Sequence, residues 1–482
     1  MGEIDDNDAK VEAKDAAEDP AVVVAAENLK ADGEDMPDFS RCRPGPALGF
    51  KPNIVATLQL ASVPSTAALV EDLAKAVEQN QRMCSTPVFK PGSGQPYWRA
   101  LPNFNIERDV ITTLELPGED RAAELHAFLG TELDAGFPAG APQWEVTVVT
   151  YAAAPGPADL VFRINHCIGD GTSLFALLMS VAKPLSPPSA AAAAADPSST
   201  SASGSGGGGS RGAGAAKTAL MRASGVAKLS ALPVRRRDAR TVLIVRGEAV
   251  AASKALAAHT FPLDRLRACR DRDPGCTVND VFMSCVAGAV RRYLDAHKGD
   301  GGGAARTPKS VTGVMLIGAP KGVPPPGRSQ EVANSFSPAL VTLPLKDKPP
   351  QERLRDMHKR LNWVKGAKEG LLAVYLNSML YRVLPLRLFI SFISFITHKA
   401  TLFVSNVKGP AERISFAHAP VTGIFNCVNP QLLSVVASMT TYAGAATIAV
   451  SANTAAMPKP QDLLDLIMEE IAALEQVQVT VQ

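Results

Sequence analysis

A chain of 482 residues with a net charge of +2 is longer than one core usually runs, so two folded units are expected. Aromatic residues make up only 5%, which argues against a base-stacking protein, and no nucleic-acid partner is expected. The charge is uneven: residues 1–40 hold 13 Asp/Glu against 3 Lys, a local −10, which leaves +12 on the remainder and suits an anionic membrane surface or a phosphorylated ligand.

Residues 1–44 are acidic, Ala-rich and poor in aromatics, and are expected to be disordered. They lack the basic-then-apolar order of a signal peptide and are too acidic for a transit peptide. Asp6 stands where a myristoylation signal needs Ser or Thr. A first globular region is placed at 45–183. Its patterning predicts helices over Ser65–Gln81 and Glu119–Leu133, and strands near Trp144–Tyr151 and Asp159–Cys167. Residues 184–239 are read as a flexible linker followed by a basic connector. Pro184–Ala216 is mostly Pro, Ala, Ser and Gly, and has too little branched apolar content to build a core.

The second region is placed at 240–482. Val242–Val245 and Ala257–Pro262 read as strands. Thr277–Tyr293 is the clearest helix. Thr277 and Asp280 have the spacing of a reciprocal N-terminal cap, and Val278, Val281, Phe282, Cys285, Val286, Ala289 and Val290 form its apolar stripe. Strands are predicted at Val311–Ile317, Leu340–Leu345, Leu402–Ser405, Leu432–Met439 and Thr447–Ser451, and an amphipathic helix over Gln461–Val477. Leu371–Thr397 is apolar but interrupted by Arg382, Pro385 and Arg387, so it reads as a buried helix or an interfacial segment rather than a membrane span. Strands and helices mix in both regions, so the class is α/β or α+β.

The seven cysteines (Cys42, Cys84, Cys167, Cys269, Cys276, Cys285 and Cys427) are scattered, odd in number and contain no C-x-x-C. That fits reduced thiols facing the cytosol, with no metal site and no disulfide framework. Cys167 is expected to be a packed thiol on the strand face opposite His166.

The chemistry is expected around His166. Leu160, Phe162, Ile164 and His166 alternate along a strand, Gly169-Asp170-Gly171 ends it, and Thr172-Ser173 can start the helix that follows. An imidazole held at a strand end by a tight turn is placed to act as a general base. From these residues alone, a packed core histidine is an equal alternative. Gly171 is expected to allow the tight entry into the helix. The other six histidines, His358 among them, have no motif context and are read as structural or surface groups.

His166-x-x-x-Asp170-Gly171 resembles the active-site motif of the CoA-dependent acyltransferase superfamily. Four segments together resemble the wax ester synthase/diacylglycerol acyltransferase family: Pro142-Gln143-Trp144-Glu145, the His166–Gly171 motif, Thr277-Val278-Asn279-Asp280-Val281 with its helix, and Ser405-Asn406-Val407-Lys408-Gly409-Pro410. The resemblance covers residues from about Pro46 onward, apart from the linker. The chain departs from the family pattern at Asn165, where a first histidine is usual, and at Gln143 and Lys408.

The resemblance implies two chloramphenicol-acetyltransferase-like domains with a substrate tunnel between them. It implies acyl transfer from acyl-CoA, a co-substrate rather than a bound cofactor, to diacylglycerol or a long-chain alcohol. His166 would be the base. Asp170 would orient the turn through an ion pair, and Asn279 and Asn406 would bind substrate or stabilise the oxyanion, unless they are capping or packing amides. Peripheral attachment to the cytosolic face of the endoplasmic reticulum or to a lipid droplet follows from water-insoluble substrates. Two rivals remain: an inactive or lipid-binding homologue of the same fold, and a condensation-domain-like acyltransferase.

Overall fold

The chain's architecture was taken from a computed structural model, which describes residues 53–89, 96–185, 234–245, 247–298, 306–318, 336–366, 379–380, 383–384, 386–431 and 433–477. The acidic tail, residues 186–233 of the linker and residues 367–378 lie outside these ranges.

In the first region, β1 (Asn53–Leu60) leads to α1 (Thr66–Gln79), capped by Ser65, whose hydroxyl accepts the Ala68 amide at 3.2 Å. A short 3-10 turn (Gln81–Cys84) and the hairpin β2 (Ser85–Phe89) and β3 (Pro96–Ala100) follow. Then come α2 (Ile106–Val110), β4 (Ile111–Leu116), α3 (Arg121–Asp134), β5 (Trp144–Tyr151), β6 (Ala158–Asn165), α4 (Gly171–Val181) and β7 (Lys183–Pro184). The strand predicted at Trp144–Tyr151 is found with those limits, and both predicted helices are present with ends within two residues.

The second region holds β8 (Lys254–Pro262), α5 (Asp264–Asp271), α6 (Val278–Ala296), β9 (Ser310–Gly318), β10 (Phe336–Pro344), α7 (Pro350–Gly366) and α8 (Leu386–Thr397). It ends with β11 (Leu402–Lys408), β12 (Ile414–Phe416), β13 (Ala419–Val428), β14 (Val435–Tyr442), β15 (Ala445–Asn453) and α9 (Pro460–Gln476). The strand expected at Val242–Val245 is not formed. Residues 242–243 make a turn, and Leu243 enters the core as a buried plug. A short apolar run cannot by itself distinguish a strand from a buried turn.

Two mixed sheets organise the molecule. The first runs β4-β5-β6-β1-β13-β12-β7, the second β10-β9-β11-β14-β15-β8. Two strands of the first sheet, β12 and β13, therefore come from the second half of the chain. Antiparallel pairing of β1 with β13 places Ile54 opposite Val428, while the other edge of β1 pairs Ile54 with Ile164 of β6. The turn joining β12 to β13 is tied to α1, because the buried carboxylate of Asp72 accepts the Ala417 amide at 2.8 Å.

The alternation read in β6 sorts into two cores. Leu160, Phe162 and Ile164 pack under α1 and α4, whereas Val161 faces α3 and the second sheet's Leu256 and Ala449. The latter layer joins the halves. At Gly130 of α3 an added Cβ would stand 2.7 Å from the Lys254 carbonyl, so this contact needs glycine. In the second half, α6 is buried from Asp280 to Val290 between α7, α9 and the sheet. The predicted stripe is thus only part of a helix covered on nearly every side.

Candidate active site

The motif strand stops one residue before His166, and the turn that follows is held by side chains on either side of it. Asn165 Oδ1 accepts the Cys167 amide at 3.0 Å, and its carbonyl accepts the Ile168 amide at 3.1 Å. An Asn that hydrogen-bonds two residues on is the usual way to turn a chain locally. Asp170 then caps α4, its carboxylate accepting the Ser173 amide at 2.7 Å. The helix thus starts from Asp170 rather than from Thr172-Ser173, because an anionic acceptor at this position also complements the positive end of the helix.

Burial shows what the turn does. Asn165, Cys167, Ile168 and Asp170 are all buried, while His166 between them is half-exposed. The flanking residues anchor the loop and the imidazole is presented. Cys167 is the packed thiol expected, but it joins the same core as Phe162 and Ile164. It lies in the turn, beyond the strand's alternation, so the opposite-face argument does not apply to it.

Support comes from residues the motif did not reveal. Arg82, itself buried, donates to the Ile168 carbonyl at 3.2 Å. Arg82 sits in the 3-10 turn capped by Asn80, and the neighbouring Met83 carbonyl accepts the indole N–H of Trp144 at 2.6 Å. Gln143 offers its carbonyl to the Asn165 amide at 2.8 Å, and Glu145 pairs with Arg163 at 2.6 Å. The Gln143-Trp144-Glu145 segment is thus a clamp on the strand and turn that carry His166. Buried polar groups with partners of this kind specify one geometry. Arg82 gave no signal in the sequence because its partner is 86 residues away.

Gly171 needs a different reading from the one expected. It stands at the first helical position, has no positive φ, and an added Cβ would meet nothing within 4 Å. The fold does not require glycine there. Its lack of a side chain instead keeps open the space beside the Asp170 cap.

Asn279 and Asn406, predicted separately, are brought together: Asn406 Nδ2 donates to Asn279 Oδ1 at 3.2 Å. Asn279 is not the helix cap. Thr277 caps α6 by accepting the Asp280 amide at 3.3 Å, and Asp280 returns a bond to the Thr277 amide at 2.8 Å. Asn279 Nδ2 rests 3.9 Å from Met315 Sδ, a weak acceptor. Its amide N–H groups are therefore cheaply available to a developing negative charge. Beyond Asn406 the chain turns at Gly409, whose amide donates to the Thr441 carbonyl at 2.9 Å. A Cβ there would collide with that carbonyl and lie 3.4 Å from Phe175 Cζ of α4. This turn packs the second half against the helix that Asp170 caps.

Cys276, Asp280 and His358 gather with their ligand atoms within 4.8 Å of one another. The expectation of no metal-ligating cluster came from spacing, and His358 is 78 residues from Asp280. The bonding nonetheless favours a structural lock. His358 Nδ1 meets Asp280 Oδ2 at 2.9 Å and Nε2 meets Asn362 Nδ2 at 2.7 Å, so both ring nitrogens are engaged. Burial, and then Asp273 and Asp280, push the Cys276 thiol up to about 12.

The wax ester synthase/diacylglycerol acyltransferase catalytic-domain model matches residues 51–282 and the WS/DGAT C-terminal-domain model matches residues 332–475. Wax ester synthase/diacylglycerol acyltransferase 11 of Arabidopsis thaliana is 20% identical over 448 residues, 88% of this chain and 92% of that protein. The O-acyltransferase WSD of Acinetobacter baylyi is 25% identical over 239 residues, 48% of each chain. Among solved structures, the wax ester synthase/diacylglycerol acyltransferase from Marinobacter aquaeolei VT8 aligns with a TM-score of 0.55 at 17% identity, covering 95% of this chain and 98% of that one. The first condensation domain of the calcium-dependent antibiotic synthetase aligns with a TM-score of 0.56 at 12% identity, covering 88% and 90%. The two structures share the fold, mixed α/β in two halves, and the two domain models together span most of the chain: it belongs to the wax ester synthase/diacylglycerol acyltransferase family of acyltransferases.

Proposed function

We propose that the protein transfers a long-chain acyl group from acyl-CoA to the hydroxyl of diacylglycerol or of a long-chain alcohol, with His166 as general base. The observation that carries this reading is the half-exposed imidazole presented by a turn whose other residues are buried. His166 takes the hydroxyl proton as the oxygen attacks the thioester carbonyl carbon. The C–O bond forms, the C–S bond breaks, and the proton passes to the leaving thiolate of CoA. Asn279 stabilises the oxyanion through Nδ2, and Asn406 holds its amide in that orientation. Asp170 and Arg82 position the turn and take no part in proton transfer. The substrates meet in a tunnel between the two halves, with room left beside Gly171. No bound cofactor is required, since acyl-CoA is consumed. Insoluble acceptors place the enzyme peripherally on the endoplasmic reticulum or a lipid droplet, and no helix among the described residues is long and apolar enough to cross a membrane.

The rival reading, an inactive lipid-binding homologue, rested on Asn165. That residue is buried and builds the turn, so its identity speaks to geometry rather than to lost chemistry. The test is purified full-length protein with a long-chain acyl-CoA and each acceptor offered separately. Ester formation that disappears in a folded His166→Ala variant supports the reading; no ester from either acceptor refutes it.

A further inference from the structure

Two stretches far apart in the sequence, one apolar and one cationic, meet at Lys399. The first is α8, Leu-Arg-Leu-Phe-Ile-Ser-Phe-Ile-Ser-Phe-Ile-Thr, where Leu388 is 58% and Phe395 41% exposed. Val383, just before it, is 71% exposed. Large apolar groups grouped on one short helix mark an interaction surface. The second is Val234-Arg235-Arg236-Arg237-Asp238-Ala239-Arg240, in which Val234 is 81% exposed and Arg236, Arg237 and Arg240 are exposed.

The contacts between them are specific. Lys399, two residues past the end of α8, is buried and donates to the Arg235 carbonyl at 2.9 Å. Its Nζ also lies 4.2 Å from the centre of the Phe395 ring. The Asp238 amide donates to the Lys399 carbonyl at 3.2 Å, and the Asp238 carboxylate accepts from Thr401 Oγ1 at 2.7 Å and from the Thr312 amide at 2.6 Å. The arginine run is thereby fixed beside the C-terminal end of α8.

Among the described residues, the face carries more cations than acids. Asp238 is its acid, and its carboxylate is spent on the threonines. Arg236, Arg237 and Arg240 have no acidic partner among the described residues. Burial, and then the charges of Arg237 and Arg235, hold the Lys399 pKa below the usual lysine range. A surface that joins exposed apolar side chains to uncompensated cations matches the boundary of an anionic lipid leaflet. There acyl chains take the apolar groups and headgroups take the arginines.

We propose that α8 and the 234–240 segment together form the docking face of this protein for an anionic membrane leaflet. The inference deepens the peripheral placement proposed above and rests on it, but not on the acyl-transfer chemistry.

Flotation of the full-length protein with vesicles of phosphatidylcholine alone, or of phosphatidylcholine with phosphatidylserine, tests it. Binding should favour the phosphatidylserine vesicles and weaken with salt. The double substitution Arg236→Glu/Arg237→Glu should lower that binding by about tenfold or more and leave the melting temperature and the activity on a detergent-dispersed acceptor unchanged. Leu388→Asp should lower binding with the fold intact. Equal binding to both vesicle types, unchanged binding by the charge-reversed protein, or unfolding by Leu388→Asp would overturn the proposal. If vesicles behave as expected and no ester is formed, the catalytic reading fails and the docking face stands.

Discussion

The His166 turn and the Asn279–Asn406 pair are both polar groups at the ends of elements, yet they are held in opposite ways. The turn is closed by its own neighbours: Asn165 bonds two residues on, and Asp170 three. The amide pair joins residues 127 apart, across the N-terminus of α6 and the strand β11. The turn keeps these local bonds and adds long-range braces from Arg82 and Gln143, whereas the amide pair rests on long-range closure between α6 and β11. The two parts of the candidate site should therefore fail differently, one through chemistry and local geometry and the other through coupling.

The largest effect should come from the imidazole. His166→Ala should lower turnover by about a hundredfold to ten-thousandfold with little change in melting temperature, measured as ester formed per enzyme. Near-wild-type turnover in the folded variant would end the base assignment and with it the contrast.

The clamp behind the turn comes next, and it should register as stability first. Trp144→Phe removes the indole donor and leaves the Met83 carbonyl buried without that bond. A loss of about 1–3 kcal/mol is expected by chemical denaturation. Arg82→Ala should act in the same direction by uncovering the Ile168 carbonyl, and both should reduce kcat by loosening the turn.

Asp170 sharpens the local half. Asp170→Ala should cost about 1–2 kcal/mol as a lost cap, read from denaturation midpoints. Asp170→Asn can still cap, so any stability it loses reports the ion pair expected for this carboxylate. A drop in rate with stability intact would instead give Asp170 a direct part in the chemistry.

The smallest effect should lie in the coupling within the amide pair, although Asn279→Ala alone should lower kcat by about a hundredfold or more as a lost oxyanion donor. Asn279→Ala and Asn406→Ala, alone and combined, should be non-additive in kcat/KM by about 0.5–1.5 kcal/mol. Full additivity would mean that the 3.2 Å bond does no work in catalysis. The same cycle between Asn406 and Asp170 should show a smaller coupling, carried through the Gly409 turn that packs against α4.

Much of the candidate site was legible because its signals are short-range. The turn residues, the reciprocal Thr277–Asp280 cap and the alternation of β6 each rest on contacts within a few residues, which spacing encodes directly. The same logic led astray where a local cue had two physical solutions. Val242–Val245 is apolar enough for a strand but plugs the core from a turn, and Gly171 reads as a conformational need although its backbone is ordinary. The apolar stretch before Lys399 was open between core and interface. Part of it, residues 371–378 with Arg382 and Pro385, lies outside the described residues, and so do the side chains of Arg387 and Phe389; the described part includes exposed Leu388 and Phe395.

By itself, then, the sequence determined the most strongly periodic helices and strands, the Thr277–Asp280 cap and the turn that carries His166, because hydrogen-bond offsets and side-chain periodicity are properties of the local chain. Only the tertiary structure decided that β12 and β13 cross into the first sheet, that Arg82 and Trp144 brace the His166 turn, that Asn279 finds Asn406, and that Arg235–Arg240 lies beside α8. Those contacts join residues tens to hundreds of positions apart. Their partners are selected by burial and by complementarity across packed layers, which no spacing along one chain records.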